Sequence, residues 1–234
     1  MDIPYGGYSR IDVLAIIQAR MTSTRLPGKV LKILAGKPML QWTIERLGCS
    51  KLLKKIVVAT SFDSKDDVAE EFCLAQNIKC HRGPLENVAQ RYAEVARLEK
   101  AESFVRINGD SPLIDPEIID EAVSIFRTTA VDFVTNTMVR TFPKGQSVEV
   151  LNSGHFLKLC EYMTEPEDQE HVTKVFYKNP EKHRIVSFSS GMDAGHVQMS
   201  VDTPDDFVVV EKLIKMSNGH PEGWKKLLSL KATL

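Results

Sequence analysis

The stretch VLAIIQARMTSTRLPGK, residues 13–29, decides the fold. Its first part, Val13–Ala19, is mostly apolar and rich in β-branched side chains, which is typical of a short buried strand. A polar loop that contains a proline and a glycine follows this strand directly. Because open α/β sheets bind ligands at the carboxyl ends of their strands, the loop is expected to be a binding loop.

Strands and amphipathic helices alternate after this loop. The predicted strands are Val13–Ala19, Ile56–Thr60, Ile78–His81, Phe104–Ile107 and Val131–Thr135. The predicted helices are Pro38–Cys49, Ser64–Gln76 (with Ser64 as its cap), Asn87–Ala101 and Asp115–Thr129. This order indicates the α/β class, with a mostly parallel sheet flanked by helices.

The pattern changes after about residue 136. Strands are predicted at Val148–Leu151, Ile185–Ser189 and Val197–Val201, and helices at Ser153–Met163, Gln169–Tyr177 and Pro204–Ser217. No Ser/Gly-rich linker separates the two parts. We therefore expect a single domain over residues 1–234, in which a smaller mixed α/β subregion packs on the first part.

Composition excludes several classes of protein. Lys and Arg total 30 and Asp and Glu total 31, for a net charge of −1. This balance argues against partners such as nucleic acid or an anionic membrane, although one local cationic pocket is compatible with it. Residues 1–10 lack a signal-peptide pattern, and the four cysteines are scattered, which favours free thiols and a cytoplasmic location.

The densest chemistry lies on the loop after the first strand. Arg20, Arg25 and Lys29 stand close together, with the Ser23 hydroxyl and Gly28 between them. Three cations on one loop repel each other, and a triphosphate would offset their charge. A solvated basic loop is the duller alternative. The sequence has no P-loop motif and no G-x-G-x-x-G after the strand, so side chains are expected to hold the phosphates.

Two aspartates end predicted strands at the same edge. Asp110 lies in NGDSPLI (residues 108–114) and Asp202 in SVDTPDDF (residues 200–207). Hard oxygen ligands of this kind suit Mg²⁺, which takes one or two carboxylates plus substrate phosphates. Asp110 could instead cap a turn before a proline. Asp205 and Asp206 fall in a helix first turn, where they are expected to favour the helix dipole and nothing else.

Taken together, these motifs resemble those of the sugar cytidylyltransferases, which make CMP-activated acidic sugars such as CMP-Kdo and CMP-sialic acid. The similarity covers roughly residues 13–218 and is greatest to the branch named for spore coat polysaccharide biosynthesis protein F. The resemblance implies a fold of the nucleotide-diphospho-sugar transferase (GT-A) type, CTP as substrate, Mg²⁺ as cofactor and a homodimer. It also implies a nucleotide-binding part at about residues 11–136, an acceptor and dimerisation part at about 137–190, and a closing metal motif and helix at about 191–218.

The resemblance also carries individual roles over to this chain. It implies catalytic roles for Arg20, Lys29 and Asp110, and metal binding by Asp110 and Asp202. The implied nucleotide-binding residues are Ala19, Arg20, Ser23, Arg25, Lys29, Asn87, Arg91 and Asn108. The implied acceptor-binding residues are Gln146, Glu149 and His171. Ser147 stands where an acid is expected, which leaves the acceptor open. Glu149 could instead be an exposed cross-strand partner, and His171 a helix-surface or packed histidine.

The function expected from these features is the activation of an acidic sugar, or a related small sugar-like acceptor, with CTP. The products would be a CMP-sugar and pyrophosphate, for surface polysaccharide or glycoconjugate synthesis. One alternative is a glycosyltransferase that uses a nucleotide sugar. Such enzymes commonly carry a D-x-D pair, which Asp110-Ser111-Pro112 breaks. A second alternative is a non-catalytic sugar-nucleotide-binding protein.

Overall fold

The structure is a computed structural model that describes residues 12–234. The expectations about residues 1–10, and the exact start of the predicted domain, lie outside this range. Its strands are β1 (Val13–Gln18), β2 (Ile33–Leu34), β3 (Lys37–Pro38), β4 (Leu53–Ser61), β5 (Lys79–Gly83), β6 (Ser103–Asn108), β7 (Phe133–Thr135), β8 (Glu149–Asn152) and β9 (Ile185–Ser187).

The α-helices follow the same chain order. They are α1 (Met39–Gly48), α2 (Asp67–Ala75), α3 (Val88–Leu98), α4 (Pro116–Thr128), α5 (Ser153–Cys160), α6 (Pro166–Glu170), α7 (Lys174–Lys178), α8 (Pro204–Met216) and α9 (Trp224–Lys231). Short 3-10 helices lie at Lys29–Leu31, Ser64–Asp66 and Pro180–Lys182. Within residues 12–234, no helix is both long enough and apolar enough to cross a membrane.

Seven strands form one sheet in the order β5-β4-β1-β6-β8-β7-β9. The strands β5, β4, β1 and β6 are parallel. The central strand β1 pairs on both sides, and Val13–Ile17 is almost completely buried, as its apolar sequence predicts. The predicted fold class, a mostly parallel sheet flanked by helices, is confirmed. Strands β2 and β3 form a separate small antiparallel pair.

The second half of the chain extends this sheet. Strand β8 lies antiparallel between β6 and β7, and β9 joins the edge parallel to β7. The fifth predicted strand, Val131–Thr135, therefore does not neighbour β6, because β8 is inserted between them. Register pairs Arg106 of β6 with Glu149 of β8, which brings two charged side chains together across the sheet.

Apolar side chains form one core on each face of the sheet. Helices α1, α4, α8 and α9 contribute Leu40, Ile119, Leu213 and Trp224 to one core. Helices α3, α5 and α7 contribute Tyr92, Phe156 and Phe176 to the other. The spacing of the apolar residues on these helices matches the buried faces, since side chains three and four positions apart share one face of a helix.

Three local predictions are wrong. The predicted helix Gln169–Tyr177 is broken into α6 and α7 around Val172, which is buried with φ of 26°. Ser64 is not a helix cap: Asp63 accepts the backbone N–H of Lys65 instead. The cap therefore lies one residue earlier than predicted, and the helix is interrupted at a buried residue in the left-handed region.

The predicted strand Val197–Val201 is also wrong, since it reduces to a single bridge between Lys144 and Gln198. The N–H of Met199 donates to Lys144 O, whereas the N–H of Val201 donates to Asp110 O. Because its N–H groups reach two different segments, this stretch forms no ladder. It still links the end of β6 to the start of α8.

Candidate active site

A polar cleft of about 380 Å³ opens at the carboxyl ends of β1 and β6. Its walls come from the loop after β1, from the turn after β6, and from the segments around residues 170 and 202. The lining residues are Gln18, Arg20, Thr22, Ser23, Thr24, Arg25, Lys29, Val30, Arg106, Asn108, Gly109, Asp110, Glu170, His171 and Asp202. The cleft therefore lies at the sheet edge that the sequence indicates for a ligand.

Backbone hydrogen bonds hold the loop after β1 in place. Gly28 adopts φ of 69° and donates its N–H to Met21 O at 2.9 Å, which closes the loop. The buried carboxylate of Asp66 accepts the N–H of Met21 at 2.6 Å and the N–H of Ser61 at 3.1 Å. Asp66 thus ties the loop to the end of β4. Nothing in the sequence pattern distinguishes it from its neighbour Asp67.

The ammonium group of Lys29 stands between the two predicted metal ligands. It donates to Asp110 Oδ2 at 2.7 Å and to Val201 O at 2.7 Å, and it lies 3.4 Å from Asp202 Oδ1. Lys29 is only 9% exposed. The structure therefore brings together one cation and two carboxylates that are 81 and 173 residues from it in the sequence.

Asp202 is held from both sides. The guanidinium of Arg25 donates to its Oδ1 at 2.7 Å, while Asp206 accepts its backbone N–H at 3.0 Å. Asp206 also forms a capping box with Thr203 at the start of α8. The expectation that Asp206 serves only the helix dipole is thus wrong, because it also fixes the backbone of Asp202. Asp205 is exposed, as expected for a residue of the first turn.

The turn after β6 packs tightly against β1. The N–H of Gly109 donates to Gln18 O at 2.8 Å, and a Cβ at this position would lie 2.9 Å from the same oxygen. Only glycine therefore fits here without moving the backbone. This approach carries Asn108 and Asp110 to the cleft beside the loop of β1.

Arg20 and His171 bring two distant segments of the chain to the cleft. Arg20 Nη2 donates to Glu170 Oε1 at 3.1 Å, so the loop after β1 contacts the end of α6. His171 follows Glu170 directly, is exposed, and lines the same cleft. Glu170 ends α6 and His171 caps it, so the end of α6 before the break brings both residues to the cleft.

Five of the residues implied to bind substrates are not among the cleft residues. Buried Gln146 bonds the N–H of Asp115 and the carbonyl of Leu113. The other four also have internal partners: Ala19 bonds the end of β4, Asn87 caps α3, Arg91 donates to two carbonyls of the preceding loop, and Glu149 is enclosed behind the cleft.

A sequence model of the cytidylyltransferase family matches residues 14–218, which includes every segment that lines the cleft. The chain belongs to the cytidylyltransferase family. The predicted enzyme class is confirmed by this membership.

Known members of the family share most of their length with this chain. The spore coat polysaccharide biosynthesis protein SpsF of Bacillus subtilis (strain 168) is 31% identical over 218 residues, which is 90% of each protein. A cytidylyltransferase structure from Leptospira borgpetersenii serovar Hardjo-bovis (strain JB197) is 30% identical, with a TM-score of 0.90 over 95% of this chain and 94% of that one. The predicted resemblance to the branch of SpsF is thereby confirmed.

More distant members support the fold. A 3-deoxy-manno-octulosonate cytidylyltransferase of Geobacter sulfurreducens is 40% identical over 121 residues, which cover 49% of this chain and 45% of that protein. The structure of CMP:2-keto-3-deoxy-manno-octonic acid synthetase complexed with CTP is 20% identical, with a TM-score of 0.66 over 88% of this chain and 99% of that one.

Arg106 also lines the cleft, although the sequence motifs do not single it out. It lines the cleft from β6, and its Nη1 donates to Glu149 Oε2 at 2.7 Å. Burial lowers the pKa of Arg106, but the charge of Glu149, its hydrogen bond to the guanidinium, and the neighbouring tyrosines together raise the pKa above its ordinary value. Arg106 could have been identified as unusual, because it is a single arginine within the otherwise apolar predicted strand Phe104–Ile107.

Proposed function

We propose that this cytidylyltransferase transfers the cytidylyl group of CTP to a hydroxyl of an acidic, sugar-like acceptor. A bond forms between the acceptor oxygen and the α-phosphorus, the bond from that phosphorus to the β-phosphate oxygen breaks, and the hydroxyl proton is lost to solvent. The products are a CMP-sugar and pyrophosphate. The observation that supports this best is the contact of Lys29 with Asp110 and Asp202, which brings the cationic loop after β1 and both aspartates into one cleft.

The cations of the loop suit a triphosphate. Arg20 and Arg25 present guanidinium forks at the cleft, and Lys29 adds a point charge deeper inside. Their present partners are carboxylates, namely Glu170, Asp202 and Asp110. Phosphate oxygens can replace those carboxylates one for one. Lys29 and Arg20 would then stabilise the charge that develops on the departing pyrophosphate.

The residues at the cleft fit a divalent cation. Asp110 and Asp202 offer carboxylate oxygens that already converge on one positive charge, which is the donor chemistry that Mg²⁺ prefers when phosphates complete its shell. Among residues 12–234, no group of three or more acidic, His or Cys side chains forms a metal site without substrate. Mg²⁺ held by these two aspartates would supply charge neutralisation and a more acidic acceptor hydroxyl.

The chain's own residues would do the remaining work by position. Before a nucleotide binds, Lys29 holds Asp110 and Asp202 together, and Asp206 fixes the backbone of Asp202. Asn108 and His171 also line the cleft, from segments other than the cationic loop, and would orient the acceptor there. Orientation of this kind lowers the barrier by converting two reactants into one complex.

A screen of nucleotides against acceptors tests the proposal through pyrophosphate release. CTP should support release at least about tenfold better than UTP, ATP or GTP, and excess chelator should stop it. Titration calorimetry with CTP separates catalysis from mere binding. CTP binding without release from any acceptor would favour a binding protein, and release of a nucleoside diphosphate from a nucleotide sugar would favour a glycosyltransferase.

A homodimer is a second expectation, which stays a prediction. It comes from the family resemblance. Met138 and Val139 are exposed on the segment between β7 and β8, which offers an apolar surface for a second copy. Sedimentation at micromolar concentration should give about twice the 26.3 kDa of one chain. A single species of one-chain mass would contradict the prediction.

A further inference from the structure

Arg106 stands apart from the other cations of the cleft. Arg20, Arg25 and Lys29 belong to the loop after β1, whereas Arg106 projects from β6 toward its register partner on β8. Its side chain is 18% exposed, compared with 64% for Arg25. A guanidinium this well enclosed makes stronger charge-assisted hydrogen bonds than one in open water.

Glu149 is enclosed by protein partners and does not line the cleft. Its Oε1 accepts from Tyr177 at 2.6 Å and from Thr173 at 3.0 Å, while its Oε2 accepts from Arg106 at 2.7 Å. Only 4% of the residue is exposed. Glu149 is therefore a positioning residue, whose contacts hold Arg106 in place and also hold the segment that carries His171.

Arg106 does retain donors. Of its three nitrogens, Nη1 is bonded to Glu149, and Nε is enclosed without a partner. Nη2 makes no hydrogen bond within the described part of the chain and is not among the enclosed atoms. Because Arg106 lines the cleft, Nη2 is the nitrogen that remains to meet a ligand there.

Arg106 lies on β6 and not on the loop after β1, whose cations are proposed to bind the triphosphate. It precedes Asn108 by two positions on β6, so these two side chains share one face of the strand, and both line the cleft with Asp110 of the following turn. At about 3.3 Å per residue, its Cα lies at most about 13 Å from that of Asp110. A sugar acid with one hydroxyl near Asp110 spans this gap once the two side chains are included.

We propose that Arg106, held by Glu149, binds the carboxylate of an acidic acceptor and so selects acids over neutral sugars. This inference rests on the proposed function, and it adds the residue that reads the acid. A carboxylate accepts charge-assisted bonds that are about twice as strong as those of a neutral oxygen. The loop cations remain free for the triphosphate.

The probes are N-acetylneuraminate and 3-deoxy-manno-octulosonate, each compared with its own methyl ester, which has the same shape without the charge. The parent protein should use the acid about 10- to 100-fold better than the ester, as kcat/KM from pyrophosphate release. Arg106→Gln should remove this preference by raising the KM for the acid, while the KM for CTP stays within about twofold. Arg106→Lys should restore part of it.

Two further variants protect the test against misfolding. Arg106→Gln leaves Glu149 buried without its cation, which can destabilise the chain. The double variant Arg106→Gln/Glu149→Gln removes both charges, so it should melt at a higher temperature than Arg106→Gln alone and still lack the acid preference. Arg184→Gln is the matched control, since it breaks another arginine–carboxylate pair of 2.7 Å, with Asp132, outside the cleft.

The outcomes separate this inference from the proposed function. Equal use of acid and ester by the parent, or an acid preference that survives in Arg106→Gln, would overturn the role of Arg106 while cytidylyl transfer stands. A raised KM for CTP in place of the acceptor would overturn it as well. Absence of pyrophosphate release from CTP with every acceptor of the screen would instead count against the proposed function.

Discussion

Lys29→Ala should lower the rate of pyrophosphate release from CTP by about 100- to 1000-fold. This is the scale of losing one preorganised group that stabilises charge in the transition state, about 2.7–4 kcal/mol. The change also leaves Asp110 and Asp202 facing each other without their shared cation. The free energy of unfolding should therefore fall by about 1–3 kcal/mol, which a thermal melt would detect.

Lys32→Ala is the matched control, because Lys32 is exposed and lies outside the cleft. It should change neither the rate nor the melting temperature. Lys29→Met keeps much of the side-chain volume and should lose as much activity as Lys29→Ala. A Lys29→Ala rate within about threefold of the parent would show that the lysine has no catalytic role.

Asp202→Asn and Asp110→Asn should each lower Mg²⁺-dependent pyrophosphate release by at least about 100-fold, since each removes one of two charged oxygen ligands. The repulsion between the two carboxylates is already offset by Lys29 in the resting site. The melting temperature without metal should therefore change little. Added Mg²⁺ with CTP should raise the melting temperature of the parent much more than that of either variant.

The neighbouring acids separate metal binding from helix capping. Asp205→Asn should keep both activity and stability. Asp206→Ala should cost about 1 kcal/mol through the capping box, and it should also lower activity about tenfold because the backbone of Asp202 loses its anchor. If Asp205→Asn lost activity while Asp202→Asn kept parental activity, the metal ligand would be Asp205 and the assignment of Asp202 would be wrong.

Local periodicity predicted most of the fold. The buried strand Val13–Gln18 and the helices around it satisfy local and global preferences together, so their sequence pattern is sufficient. The insertion of β8 between β6 and β7 could not be predicted in this way. Strand order depends on pairings between distant segments, such as Phe104 with Leu151, that leave no mark in either segment alone.

The motif residues of the cleft were predictable for a different reason. Arg20, Lys29, Asp110 and Asp202 are charged residues in motifs that the sequence places near the carboxyl edge of the sheet, where ligands bind. Residues that act by positioning other residues were harder to predict, because the local sequence does not indicate a partner far along the chain. Asp66 is one example. Glu149 is singled out by the resemblance, but its bonds to Arg106, Thr173 and Tyr177 could not be predicted from the sequence.

The pairing of cations with carboxylates affects which anions the cleft binds. Arg20, Arg25 and Lys29 each already have an acidic partner. A small monoanion such as chloride must break one of these pairs and leaves a bare carboxylate behind, so its net gain is small. A nucleotide that arrives with its divalent ion exchanges every partner at once. The resting cleft thereby discriminates by valence, and background salt should compete with CTP only weakly.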